Sequence, residues 1–133
     1  MAKTFQCTLV TPQQQVLDEE VTYASIPAWD GQIGVAPQRA PLLVQLGEGP
    51  LRLSFESGIH RWYFLSGGFA QMKDNRLTLL SDEALPPEEI DRKEVESEFS
   101  EAQALLAVGD QQAEQRARRL ARARGKLRLL NQN

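Results

Sequence analysis

The sequence predicts an antiparallel β-sandwich or barrel followed by a two-helix hairpin, and three distributions along the chain predict it. Turn residues and aromatics crowd the first part: both Trp, both Tyr and four of the five Phe precede residue 70, together with seven of the nine glycines. Apolar residues there alternate with polar ones, the period of half-buried strands. Beyond residue 85 the apolar period lengthens to that of a helix, and the composition turns to Ala, Glu and Arg. Residues 1–85 are therefore expected to form the β domain and residues 86–133 the helical hairpin.

The elements follow in order. Phe5–Val10 reads as a strand ended by Thr11-Pro12, and Val16–Leu17 and Val21–Ile26 follow, the latter ended by Pro27. Asp30-Gly31 and Gly34 mark a tight turn. Leu51, Leu53 and Phe55 alternate with Arg52, Ser54 and Glu56, and Ser57-Gly58 reverses the chain into the aromatic strand Ile59–Ser66. Gly67-Gly68 inside a strand pattern predicts a bulge or a close backbone approach. Asp74-Asn75 separates Phe69–Met72 from Arg76–Leu80 as a hairpin turn. Pro86-Pro87-Glu88-Glu89 reads as a helix start, since proline is tolerated in the first turn and acids favour the positive end of the helix dipole. Val95, Phe99, Ala102 and Leu106 make one apolar stripe, and Ala113, Ala117, Leu120, Leu127 and Leu130 a second. Gly109 is expected to stop the first helix and Asp110 to cap the next. Gly125 weakens that second helix by about 1 kcal/mol relative to Ala.

Charge divides the tail. Residues 1–85 carry −3, residues 86–110 carry −6 and residues 111–133 carry +6, so the whole-chain −3 conceals an acidic segment followed by a basic one. Folding about Gly109-Asp110 would set Glu101 near Arg118, Glu98 near Arg122 and Glu94 near Lys126, each exposed pair contributing about 0–1 kcal/mol. A hairpin with so narrow and alanine-rich a seam is expected to be separable from the sandwich and open to another partner.

Several classes of function find no support. The chain has 133 residues, enough for one domain with a small appendage. It contains no run of about 18 apolar residues, and its first residues lack the apolar core of a secretory signal. One cysteine, Cys7, and one histidine, His60, make an internal disulfide impossible and an ordinary His/Cys zinc site implausible. The net acidity and the pI of about 5.2 argue against general nucleic-acid binding. No catalytic constellation emerges: His60 lies in a strand among aromatics, Cys7 reads as a packed residue, and Asp18-Glu19-Glu20 as a solvated turn. Gly31-Gln32-Ile33-Gly34 lacks the Lys-Ser/Thr ending of a phosphate loop. A stand-alone sandwich whose helical tail captures a partner is the alternative to a role within a larger complex.

The ordered set Thr11-Pro12, Ile26-Pro27, Gly31-Gln32-Ile33-Gly34-Val35, Ala40-Pro41-Leu42-Leu43 and Leu65-Ser66-Gly67-Gly68-Phe69-Ala70, closed by the Leu77–Leu80 strand, resembles the ε subunit of F-type ATP synthase of bacteria and chloroplasts. The resemblance spans the chain, including the tail. It implies a ten-stranded β-sandwich followed by an antiparallel helical hairpin. It also implies a non-catalytic rotor subunit of a proton-translocating ATP synthase, which binds the γ subunit, rests on the c-ring and couples rotation to the catalytic head. The tail would extend to the α and β subunits and suppress ATP hydrolysis. The expected place is peripheral, on the cytoplasmic face of the bacterial inner membrane or the stromal face of the thylakoid, with membrane association through the complex only.

By the same resemblance, Asp30, Gly31 and Gln32 match the loop that touches the c-ring, Gln32 standing where bacteria often have an acid. Arg39, Ala40 and Pro41 match a His-Ala-Pro motif whose role here is open, because Arg39 replaces the histidine. Arg116, Arg118, Arg119, Arg122, Arg124, Lys126 and Arg128 cannot all face the acidic first helix, since at 100° per residue they spread around much of their own helix. The first six of these are the candidates for contact with the catalytic head. Some relatives bind ATP through Ile/Leu-Asp-x-x-Arg-Ala in the tail. Here Ile90-Asp91 is followed by Glu94-Val95 in place of Arg-Ala, and a carboxylate repels phosphate, so neither ATP nor any other cofactor is expected to bind.

Overall fold

A computed structural model describes residues 3–132. Alternation in the first half produces ten strands in two five-stranded sheets. The first sheet has the order β2 (Gln15–Val21), β1 (Phe5–Val10), β9 (Arg76–Leu80), β8 (Phe69–Lys73) and β5 (Leu42–Gln45). The second has the order β10 (Glu83–Leu85), β7 (His60–Ser66), β6 (Glu48–Ser54), β3 (Tyr23–Ala28) and β4 (Gly31–Val35). One side of each sheet faces the other. Phe5, Cys7 and Leu9 of β1, Leu51 and Leu53 of β6, and Leu77 and Leu79 of β9 meet in a single dry core, the arrangement that two packed sheets require.

The sandwich expectation holds with one correction: not every pairing is antiparallel. β1 runs parallel to β9, Cys7 opposite Leu77. Parallel neighbours need a long connection, and most of the sandwich lies between these two strands. The turns follow their residues. Asp74 and Asn75 both take positive φ (50° and 58°), the geometry of the tightest hairpins. Gly68 turns the chain from β7 into β8 at φ 96°, where a Cβ would lie 1.8 Å from the Leu80 carbonyl oxygen, so the predicted close approach is present.

Two details differ from expectation. Gly34 lies within β4 rather than in a turn, and a Cβ there would collide with the Tyr23 hydroxyl, so its role is to admit the Tyr23 ring. Asp18, Glu19 and Glu20 belong to β2 and not to a turn. Asp18 accepts hydrogen bonds from Gln6 and Thr8 of the neighbouring strand (2.6 and 3.1 Å), and Glu19 pairs with Arg61 at 2.6 Å.

The tail also departs from its predicted boundaries. Pro87–Glu89 makes a single 3₁₀ turn, after which Ile90 is extended. Helix α1 (Arg92–Ala104) begins only where the Asp91 carboxylate accepts the Lys93 amide proton (2.9 Å), a cap of the usual kind. It ends before Leu105, so Leu106 lies in an exposed connector instead of on the stripe. Gly109, at φ 82°, opens helix α2 (Gly109–Gln132) instead of closing α1.

The helices run antiparallel, but in a different register from the one charge alone suggests. Arg119 meets Glu101 at 3.5 Å, Arg116 donates to the Gln103 carbonyl, Arg124 lies over Phe99, and Arg92 donates to Asn131. Arg122 lies within reach of the Glu98 charge, as expected, but its hydrogen bonds go to Glu83, and Lys126 turns to Phe64, because α2 is rotated to lie on the outer side of β6 and β7 while α1 packs chiefly on α2. The buried residues of α2 are accordingly Leu120, Ala123, Gly125, Lys126 and Leu129. Leu127 and Leu130 are half-buried, and Ala113 and Ala117 are exposed on the turns that precede the sandwich contact.

Candidate interaction surfaces

The two reactive side chains are not placed for chemistry. Cys7 is fully buried in β1, and its thiol is pushed up to about 12, first by loss of solvent and then by the charge of Asp18. His60 is exposed, with Nδ1 2.9 Å from the Ser54 hydroxyl. Among the described residues no group of three or more His, Cys, Asp or Glu converges as a metal site. The Asp18 carboxyl is held below its usual range by the Gln6 and Thr8 hydrogen bonds, which marks strand pairing rather than a site.

The β3–β4 turn forms one end of the sandwich. Its backbone is fixed by the segment Gln45–Gly47: Trp29 donates its amide proton to the Gln45 carbonyl (3.0 Å), Gly47 donates to the Pro27 carbonyl (2.8 Å), and Ala28 bridges Leu46. Asp30 and Gly31 are exposed at its apex. The Gln32 side chain folds back and donates to the Ser25 hydroxyl (2.9 Å) and the Pro50 carbonyl (3.2 Å). The residue that reaches out is Trp29, 70% exposed. Sequence reasoning passed over it, although a large aromatic immediately before Asp-Gly was the available signal. At the other end of the strands lies the loop holding Arg39, Ala40 and Pro41. Asn75 orders it, accepting the Gln38 amide proton through Oδ1 (2.8 Å) and donating through Nδ2 to the Thr4 carbonyl (3.0 Å). Arg39 remains exposed, its guanidinium 3.2 Å from the Ala40 carbonyl.

The basic helix divides into two faces. Arg118 points to solvent, and Arg116, Arg119 and Arg124 are engaged by α1, Arg124 over the Phe99 ring while still largely exposed. Arg122, by contrast, turns to the sandwich and grips the Glu83 carboxylate with both terminal nitrogens, Nη2 to Oε1 at 2.7 Å. Lys126, one turn on and only 8% exposed, lies over the Phe64 ring at 5.6 Å, and the Arg122 guanidinium lies over the same ring at 5.8 Å. Arg128 donates to the Glu48 carbonyl (2.8 Å). The six candidate cations are thus not one surface.

A sandwich with anchored loops at both ends and a basic hairpin laid on one outer face has the build of an assembly component. The comparison with known proteins says which. The family model for the β-sandwich domain of the ATP synthase delta/epsilon chain matches residues 4–87, and the chain belongs to that family. It is 38% identical over 125 residues to the ATP synthase epsilon chain of Rhodopirellula baltica, covering 94% of this chain and 97% of that one. It is 36% identical over 110 residues to the epsilon chain of Granulibacter bethesdensis, covering 83% and 81%. A chain in the cryo-EM structure of Euglena gracilis mitochondrial ATP synthase (OSCP/F1/c-ring, rotational state 1) superposes with a TM-score of 0.77 at 27% identity, over 98% of this chain and 79% of that one. A chain of the Tetrahymena thermophila central stalk and c-ring shares the fold at 18% identity, with a TM-score of 0.64.

Proposed function

We propose that this chain is the epsilon-type subunit of the central stalk of an F-type ATP synthase, a non-catalytic rotor part that joins the γ subunit to the c-ring. The observation that carries this reading is the likeness over 98% of the chain to a component of an F1/c-ring assembly, joined to near-complete coverage of an epsilon chain. Its proposed place is peripheral, through its partners, on the cytoplasmic face of the bacterial inner membrane, a reading supported by its likeness to a component of an F1/c-ring assembly; no helix among the described residues is long and apolar enough to cross a membrane. The β3–β4 turn is the part that meets the ring. Trp29 and Asp30 present an aromatic face and an unshielded carboxylate on an anchored backbone, the kind of rigid aromatic anchor that dominates small interfaces. Gln32 supports the turn from within. The Arg39-Ala40-Pro41 loop lies at the opposite end, anchored by Asn75 and with Arg39 exposed, and its role stays open.

In the tail, Arg118, which is exposed already, with the α1-bound Arg116, Arg119 and Arg124 and the sandwich-bound Arg122 and Lys126, forms the face that meets the acidic head once the hairpin leaves the sandwich, and this contact restrains ATP hydrolysis. ATP itself binds the tail weakly or not at all, because Asp91 serves as a helix cap and Glu94 stands where phosphate would need a guanidinium.

Co-purification with γ and c-ring tests the assembly, with Trp29→Ala expected to weaken ring attachment and Gln32→Ala to matter less. Hydrolysis by the complex with and without residues 86–133 tests the tail. Faster hydrolysis without it is expected, and equal rates would remove the inhibitory role while leaving coupling intact.

A further inference from the structure

Three independent contacts converge where α2 meets the sandwich. Arg122 and Lys126 stand four residues apart, hence on one face and one turn apart, and both lie over the Phe64 ring. Two cations over one ring repel each other, and Glu83 of β10 offsets that by accepting both nitrogens of Arg122. Between them Gly125 lets the helix backbone come down onto the sheet: a Cβ there would stand 2.9 Å from the Phe64 ring and 3.0 Å from the Glu48 carbonyl. The Arg122–Glu83 pair is about one-third exposed (35% and 30%), which leaves it partly shielded from water and stronger than a surface pair.

We propose that Glu83 and Phe64 form an internal counter-site on the sandwich. It holds the docked tail by the same Arg122 and Lys126 that would serve an outside acidic or aromatic surface. Docking and head contact are then mutually exclusive uses of two cations, and the sandwich competes directly with the partner. The clasp itself stands on the geometry alone, whereas its regulatory consequence rests on the tail-inhibition reading above. It differs from a general packing interaction in being chemically addressable. Removing the charge of Glu83 while keeping its shape should free α2 and leave the core untouched.

The experiment is hydrogen exchange on the full-length chain, followed by hydrolysis assays on the reassembled complex. In Glu83→Gln, amides of residues 120–130 are expected to exchange roughly tenfold faster, the loss expected for a charge-assisted hydrogen-bonded pair. Amides of β1, β8 and β9 should not change. Phe64→Leu, which keeps an apolar volume but removes the π face, should act in the same direction and by less. Raising salt, which cuts the screening length from about 30 Å at 0.01 M to about 3 Å at 1 M, should loosen the wild-type tail and barely affect Glu83→Gln. Unchanged exchange over 120–130 in Glu83→Gln would overturn the clasp. Faster exchange with stronger inhibition of hydrolysis supports the proposal in full. Faster exchange with unaltered hydrolysis keeps the clasp and overturns the competition, whereas the inhibitory reading itself falls only if removing residues 86–133 leaves hydrolysis unchanged.

Discussion

The sandwich and the hairpin bury their apolar residues on different terms. In the sandwich, both sheets contribute to one interior, and Cys7, Leu9, Ile26, Leu53, Leu65, Met72 and Leu79 are completely enclosed. In the hairpin, α1 buries only Val95 and Ala102, and the enclosed residues of α2 cluster in its second half, where it lies on β6 and β7. The sandwich therefore supplies its own hydrophobic stabilisation. The hairpin takes much of its stabilisation from the sandwich, through a contact where cations and a glycine sit beside the buried Leu120 and Leu129. Such an arrangement predicts a rigid body whose appendage can leave without unfolding it, and this difference can be probed one residue at a time.

The largest effect belongs to the core. Leu79→Ala should destabilise the whole protein by about 2–5 kcal/mol, the usual cost of a large-to-small change at an enclosed position, read as a lower urea midpoint. Leu129→Ala removes an equally enclosed leucine, but from α2. It should raise exchange in the tail while shifting the sandwich's urea midpoint far less. Equal midpoint shifts would break the comparison and make the two parts one cooperative unit.

Gly125→Ala sharpens it, because propensity and geometry predict opposite signs. Helix propensity alone favours the alanine by about 1 kcal/mol. The contacts at 2.9 and 3.0 Å leave no room for its methyl group, and one of the obstructing groups is backbone. The variant should have a more intrinsically stable helix that docks less well, seen as faster tail exchange with no loss of helical circular dichroism.

That glycine also shows what the sequence could and could not reveal. The strands were legible because alternation, Pro punctuation and the Asp74-Asn75 pair act over a few residues, as did the Gly68 approach. The family motifs extended this to the strand count and to the two end loops. What escaped depends on which helix face meets which sheet, a long-range matter. A stripe through Ala113, Ala117 and Leu120 is as good a seam on paper as the one through Leu120, Ala123 and Leu129, and Gly125 read in isolation looks like a defect. Lys126, the least expected residue to bury, becomes acceptable only because Phe64 lies beneath it. Asp91 was legible as part of a motif but not as the helix cap, because Pro86-Pro87 gave a stronger and misleading start signal. Trp29 was missed because exposure of a single aromatic cannot be read from a strand pattern that would as readily bury it.

A smaller, pH-dependent effect separates the core from the tail in another way. The unfolded chain ionises its thiol near its ordinary value of 9.0, whereas buried Cys7 keeps its proton to about 12. Between those values the unfolded state has lost a proton that the folded state retains, so this group's contribution to stability falls as pH rises through 9. Wild type should lose stability between pH 9 and 11 faster than Cys7→Ala, by the difference in slope of their urea midpoints. Below pH 8 the two slopes should coincide, and the native thiol should resist alkylation. A parallel slope above pH 9 would mean that β1 opens to solvent more readily than the core implies.

The smallest effect is expected at the far tip of the hairpin. Leu106 is 90% exposed in the connector between the helices, beside the exposed Leu105 and Val108. Substituting an exposed residue that touches little normally changes stability by less than about 0.5 kcal/mol, so Leu106→Ala should leave the urea midpoint and the tail's exchange unchanged. The contrast with Leu129→Ala then isolates position from chemistry, since both remove a leucine from the same hairpin. A loss of docking in Leu106→Ala would show that the connector, and not the clasp on β6 and β7, holds the tail in place. If docking stays intact and hydrolysis by the assembled complex rises, the tip acts only on a partner, after the hairpin has left the sandwich.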